Sequence, residues 1–363
     1  METKITNCHT HIFTRKAVPE NFLPAWMTPI ARILEGKRTS RFFFNLFSKF
    51  QSHEKAMLIK KFHAFLTIGD LKTQLDIFKY LQSFYPIGTR FCVLPMDMQY
   101  MKAGDVPQSY YDQLDELALL KSDPAYSDLI YPFIFIHPER KGIFETVRYY
   151  IEKRGFSGLK MYPPLGYYPF DERLNEIFAY AEKYQIPITT HCSRGGVFYK
   201  GEITPEMLTH PKTGKAIKEQ GNKFFTDCYT DPDNYIYLLE QFPKLKINLA
   251  HFGGFDEWQK YLGNTMDEDQ PTWYEKICAL IRKYPNVYTD ISYTMFNPEL
   301  FNLLNISLLD KTLKDKILYG SDFYMTEQET SERQFLTNIR AYLGESLFRV
   351  IAETNPCRFL EKE

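Results

Sequence analysis

Cys8-His9-Thr10-His11 places two imidazoles two residues apart, at the end of the first apolar segment. On a β-strand, side chains two apart point to the same face, so an extended His-x-His aims both rings at one point. Neutral imidazole is a ligand for divalent ions. Further polar residues end later apolar runs: Lys160 in Gly158-Leu159-Lys160-Met161, His191 in Thr189-Thr190-His191, His251 in Leu249-Ala250-His251, and Asp322 in Gly320-Ser321-Asp322. Imidazole nitrogen with carboxylate oxygen suits Zn²⁺ and similar ions. An open coordination position would hold a water and lower its pKa toward neutrality.

Such residues meet only if the strands that carry them share one mouth. Eight β-rich runs are expected at Lys4–Phe13, Arg90–Pro95, Ile130–Pro138, Gly158–Pro163, Ile186–Cys192, Lys246–Phe252, Val287–Ser292 and Lys316–Asp322. Between them, helical periodicity marks Asp70–Phe84, Ser109–Lys121, Gly142–Lys153, Asp171–Tyr184, Asp231–Gln241, Trp273–Tyr284 and Ser331–Leu343. Alternating βα units imply a parallel sheet, and eight of them fit a closed (β/α)8 TIM-like barrel. No Gly-x-Gly-x-x-Gly turn follows the first strand, which argues against a dinucleotide-binding open sheet. Long insertions follow strands 1, 5 and 6, at Thr14–Ile68, Ser193–Tyr229 and Gly253–Pro271. These leave the strand ends where barrel enzymes build active sites. The expected organisation is a single domain over 1–363, with 14–68 as an inserted lid or cap. Within it, Arg41–Phe50 has the pattern of an amphipathic helix packed on the barrel; a hydrophobic lid or a subunit contact is the functional alternative.

The chain has 363 residues, 44 Lys plus Arg and 45 Asp plus Glu, for a formal charge of −1. That balance gives no electrostatic support to nucleic-acid binding. No apolar run approaches a membrane span, and the N-terminus lacks a signal-peptide pattern. The 6 cysteines form no C-x-x-C pair, so reduced thiols in a cytoplasmic protein are expected. The remaining histidines, His53, His63, His137 and His210, are expected to be structural or solvated.

Taken together, Cys8-His9-Thr10-His11, Gly158-Leu159-Lys160-Met161-Tyr162-Pro163-Pro164, Thr190-His191-Cys192, Ala250-His251-Phe252-Gly253-Gly254 and Gly320-Ser321-Asp322 resemble the amidohydrolase superfamily. The resemblance is to the amidohydrolase-related branch that includes aminocarboxymuconate semialdehyde decarboxylase, aromatic acid decarboxylases and lactonases. It implies a distorted barrel with a divalent metal at its mouth. By position, His9, His11, His191 and Asp322 match metal ligands, and Asp322 also matches the proton shuttle. His251 matches a residue that faces the substrate in one-metal relatives and binds a second ion in two-metal relatives. Lys160 matches a lysine that is carboxylated and bridges two ions in some relatives. In this branch it often accompanies one metal, so one ion, with zinc as the default, is expected here. The resemblance also makes a homodimer plausible.

The expected activity is metal-dependent hydrolysis of a small ester, lactone or amide, with Asp322 as general base and His251 assisting at the oxyanion or leaving group. Arg194 is a candidate clamp for a substrate carboxylate, Lys160 a candidate anchor for an anionic group, and Tyr162, Tyr167 and Tyr168 are candidates to line the pocket. The alternative chemistry is non-oxidative decarboxylation of an aromatic or enoic acid at the same site. A non-catalytic metal-bound scaffold is the alternative of another class.

Overall fold

A computed structural model describes residues 5–22, 67–217, 221–263 and 270–361. Eight parallel strands follow one another in chain order: β1 (Thr6–Thr10), β2 (Arg90–Val93), β3 (Ile130–Phe135), β4 (Gly158–Met161), β5 (Ile188–Ser193), β6 (Ile247–Gly253), β7 (Val287–Asp290) and β8 (Ile317–Leu318). Beyond β8 the chain folds back onto β1. The Cys8 amide donates to the Tyr319 carbonyl at 2.8 Å, and the Asp322 amide donates to the His9 carbonyl at 2.8 Å. These bonds bring the two ends of the sheet together and complete the expected (β/α)8 barrel. β8 is short because the Tyr319 amide turns to the Ile351 carbonyl rather than to a neighbouring strand.

All seven expected helices form, at Gln74–Gln82, Tyr110–Ser122, Ile143–Lys153, Asn175–Lys183, Asn234–Gln241, Trp273–Lys283 and Glu332–Arg349. Side-chain caps set several starts. Thr73, Ser109, Thr272 and Ser331 each accept from an amide in the first turn, and Thr272 forms a reciprocal capping box with Glu275. Capping by Thr73 begins the first of these at Gln74 instead of Asp70. The last continues past the expected end at Leu343, but Gly344 breaks it with φ 71°. Helix Phe301–Leu309, between β7 and β8, was not expected. Its apolar residues surround the axis, with Leu304 buried and Ile306 exposed, so no polar stripe marks its period. The connection after β5 holds helix Asn222–Asp227, and that after β6 holds helix Phe255–Gly263. The segment Arg41–Phe50, with His53 and His63, lies outside the described residues, as does most of 14–68. No helix among the described residues is long and apolar enough to cross a membrane.

Asn7 stitches the closure together beneath the mouth. Its Oδ1 accepts from the His9 amide (3.2 Å) and the Ser321 amide (3.1 Å), and its Nδ2 donates to Ser321 Oγ and Tyr85 OH, both at 2.8 Å. Tyr85 in turn donates to Glu332 and lies 2.9 Å from Tyr319 OH. Burial pushes the Glu332 carboxyl up to about 7, with the Ser321 and Tyr85 hydroxyls offsetting part of the effect. The unfolded chain releases this proton near pH ~4.3, so the folded state binds more protons through the window above that value. Stability should therefore fall as pH rises from about 4.3 to about 7, by roughly 3 kcal/mol from this group. Glu332→Gln should remove that decline and leave the variant the more stable form above pH 7. Chemical denaturation across pH checks this; an unchanged slope would refute it.

Candidate metal centre

Each imidazole at the mouth is oriented by a bond on one ring nitrogen. His9, in β1, has Nδ1 3.0 Å from Asp290 Oδ2 and 3.1 Å from Ser292 Oγ. His11, just past β1, donates from Nδ1 to the Leu94 carbonyl at 2.6 Å. His191, in β5, donates from Nε2 to the Ser193 carbonyl at 3.0 Å. His251, in β6, donates from Nδ1 to the Ser292 carbonyl at 3.2 Å, with Ser292 Oγ at 2.9 Å. A carbonyl accepts only, so these contacts fix the tautomers and leave the opposite nitrogens as lone-pair donors.

Those free nitrogens face one another. Ligand atoms of His9, His11 and Asp322 all lie within 4.8 Å of one another, with His11 Nε2 3.8 Å from Asp322 Oδ1. The His251 ring is 4.7 Å from that of His9 and 4.8 Å from that of His191. His191 falls outside the tight triad but joins it through His251. His9 Nε2 and His191 Nδ1 are buried and find no hydrogen-bond partner among the described residues. Leaving such atoms unpaired costs about 1–3 kcal/mol each, and a divalent cation would engage both. The donor set of imidazoles and one carboxylate therefore fits the expected ion.

Burial decides the charge states. It drives His11 and His191 well below the ordinary histidine value and takes His251 down to about 3. All three are neutral, as metal ligation requires. Burial raises the Asp322 carboxyl, and the neighbouring His9 and Lys160 side chains offset part of that. Asp322 carries a left-handed backbone (φ 56°), as do His251 (φ 68°) and Phe252 (φ 48°). Gly320 is required beside them, because a Cβ there would lie 2.8 Å from that of His9.

Lys160, in β4, is fully buried, and its Nζ has no hydrogen-bond partner among the described residues. Burial lowers its pKa to about 8, with Asp290 and Asp322 pulling the other way. It is not among the residues that line the adjoining cavity. That position suits a group acting on the centre better than an anchor for substrate.

The cavity, about 490 Å³, is lined by His11, His191, His251 and Asp322. Tyr162 lines it, stacked on His191 at 4.3 Å, and Arg194 stands at its wall. Tyr167 and Tyr168 do not: Tyr167 OH accepts from the Tyr162 amide and Tyr168 packs on Tyr229 and Phe170. His137 stacks on Tyr100 at 3.7 Å, and His210 bonds Asn234, both structural as expected.

Sequence reasoning missed Asp290, at the end of β7, which proves central. It accepts from His9 Nδ1, Asn248 Nδ2 (2.7 Å), the His251 and Ser292 amides (both 3.1 Å) and the Ser292 hydroxyl. Burial opposes its ionisation, but His9, His251 and Ser292 outweigh burial and hold it below the ordinary carboxylate range. Position was the available signal: Thr289-Asp290-Ile291-Ser292 ends the seventh apolar run as the nominated residues end theirs.

The sequence pattern of the amidohydrolase family matches residues 84–362. The chain belongs to that family. No curated protein matches it significantly in sequence. Among solved structures, this amidohydrolase resembles one from Burkholderia multivorans with bound zinc, at 10% identity over 99% of this chain and 100% of that one, TM-score 0.55. It also resembles 5-carboxyvanillate decarboxylase of Sphingomonas paucimobilis, at 12% identity over 100% of both chains, TM-score 0.51. A third is 4-oxalomesaconate hydratase of Rhodopseudomonas palustris, at 14% identity over 98% of this chain and 95% of that one, TM-score 0.50. At such identities the likeness is one of fold.

Asp290→Asn keeps the size of the hub but weakens its hold on His9 Nδ1. Metal affinity, read by chelator competition, should drop about 10- to 100-fold. Unchanged affinity would remove Asp290 from the centre.

Proposed function

We propose that this amidohydrolase is a metal-dependent hydrolase of a small ester, lactone or amide with an apolar body. The observation that carries this reading is the set of buried, unpaired nitrogens facing Asp322 beside an accessible cavity. A divalent ion, with zinc the default by ligand type, would be held by His9, His11, His191 and Asp322. Bound there, it would supply Lewis acidity and lower the pKa of a coordinated water.

The chain's own groups account for proton handling. Asp322 faces the cavity, and its raised carboxyl pKa eases both uptake and return of a proton. It takes the proton of the attacking water and delivers it to the leaving group. His251 has Nδ1 committed to Ser292, so its Nε2 can accept but not donate. It therefore orients the water as an acceptor, which revises the expectation that it stabilises an oxyanion. Tyr162 and the Met96, Met98 and Met101 side chains shield the site from bulk water.

Decarboxylation is the second reading, and the apolar wall favours it. A carboxylate held against Phe13, Met98 and Met325 is poorly solvated, and as CO2 departs the electron pair of the broken bond stays on carbon to take up a proton. Asp322 would then protonate carbon. The decarboxylase among the similar folds acts on a carboxylated aromatic, in keeping with this alternative. A closed structural site would not adjoin a cavity of this size, which speaks against a scaffold.

Metal-loaded protein assayed on a panel of lactones, aryl esters and amides should release acid without CO2; CO2 release from carboxylated aromatics with no hydrolysis would replace the first reading by the second. Asp322→Asn should lower kcat at least about 10²-fold with metal largely retained, as expected for a general acid–base. Full activity in that variant would eliminate the shuttle.

A further inference from the structure

The loop that follows β5 brings positive charge to the cavity wall. Arg194, Lys200 and Lys223 all line the cavity, where Asp322 is the one carboxylate among the described lining residues. Lys200 is engaged, donating to the Asn21 and Phe22 carbonyls at 2.9 Å. Arg194 is held on two sides. Its Nε donates to Glu257 at 2.8 Å, and its guanidinium stacks over the Trp273 ring at 4.4 Å. Glu257 is itself fixed by Lys260 (2.8 Å) and by the Trp273 amide (2.9 Å). The terminal nitrogens of Arg194 have no acceptor among the described residues. Neither has Lys223 Nζ, which lies 3.9 Å from where a Gly195 Cβ would stand.

Two glycines make this approach possible. Gly195 (φ 83°) and Gly196 (φ 82°) both adopt the left-handed conformation. A Cβ on Gly196 would lie 2.5 Å from Tyr162 OH and 3.4 Å from His191 Cε1. The chain therefore runs against the metal-binding histidine and carries Arg194 and Lys223 to the same wall. Asp227, which accepts from the Gly195 amide at 2.9 Å, offsets only part of the charge.

We propose that Arg194 and Lys223 form a subsite for a carboxylate on the substrate, remote from the bond that reacts. A guanidinium fixed by stacking and by one ion pair loses little freedom on binding, and its open edge matches a carboxylate. The substrate class is thus an acid with an apolar body that carries its anionic group toward the β5 loop and its reactive carbonyl toward His11, His251 and Asp322. This rests on the reading of the centre as a hydrolytic metal site.

Benzene-1,3-dicarboxylic acid monoamide and benzamide are the probes. The amide is common to both; the carboxylate is present only in the monoamide. Calorimetric titration of zinc-loaded protein should show the monoamide binding about tenfold tighter or more, the size of one charge-assisted contact. That preference should shrink toward unity in Lys223→Ala and in Arg194→Gln. Lys223 is exposed and unpaired among the described residues, so its replacement tests the subsite without disturbing the fold. Equal affinities in the parent protein, a preference that survives both substitutions, or no binding of the monoamide would overturn the subsite. Binding of the monoamide with and without zinc reports the metal centre separately. Its independence of zinc would count against the hydrolase reading and leave the result for the two cations standing.

Discussion

One buried carboxylate organises this mouth. Asp290 is fully enclosed, yet it stays ionised because donors from β1, β6 and the end of β7 converge on it. A buried charge without such partners would cost several kcal/mol, so the arrangement holds together or fails together. Its grip on His9 Nδ1 leaves Nε2 facing the centre. Its bond from the Ser292 hydroxyl leaves that oxygen to accept from the imidazoles of His9 and His251. The tautomers of two rings thus follow from one anion. The carboxylate orients its neighbours; of these His251 lines the cavity, and Asp290 itself does not.

The barrel must also close where its ladder is weakest. β8 has only two residues, and the Asn7 side chain supplies bonds that a longer strand would have made. Because the same closure carries His9 on one side and Asp322 on the other, the spacing of these two candidate ligands is set by backbone bonds as well as by their side chains. The left-handed residues His251, Phe252 and Asp322 gather at this rim. Conformations of that kind persist only where surrounding structure enforces them.

The sequence made the strand order, the seven helices and the histidines at the strand ends legible, because each lies at the close of an apolar run with a clear period. Asp290 closes the seventh run in the same way, so its place was legible and only its role was not; Asn248, inside a strand, looks locally like a residue facing solvent. Only its bonding to other strands distinguishes it, and that is a long-range property. Helix Phe301–Leu309 escaped because apolar Ile306 and Leu309 stand on its exposed face and erase the amphipathic stripe. Lys223 escaped because its helix, Asn222–Asp227, is too short to show a period. The proton on His251 was not legible either: residue type gives an imidazole, but the Ser292 carbonyl decides which nitrogen holds the proton.

The unpaired nitrogens of His9 and His191 also say something about energetics. Folding buries these acceptors at a cost, which a cation at the centre would recover. Metal binding and folding would then be linked, with relief of the burial penalty included in the affinity for the ion. Lys160 sharpens the point. An ammonium cannot ligate a cation and would repel one, yet its depressed pKa brings the neutral amine within reach near neutrality. Loss of that proton would remove the repulsion, so filling the centre and discharging Lys160 favour each other. A lysine that looks misplaced beside a cation site is thereby compatible with it.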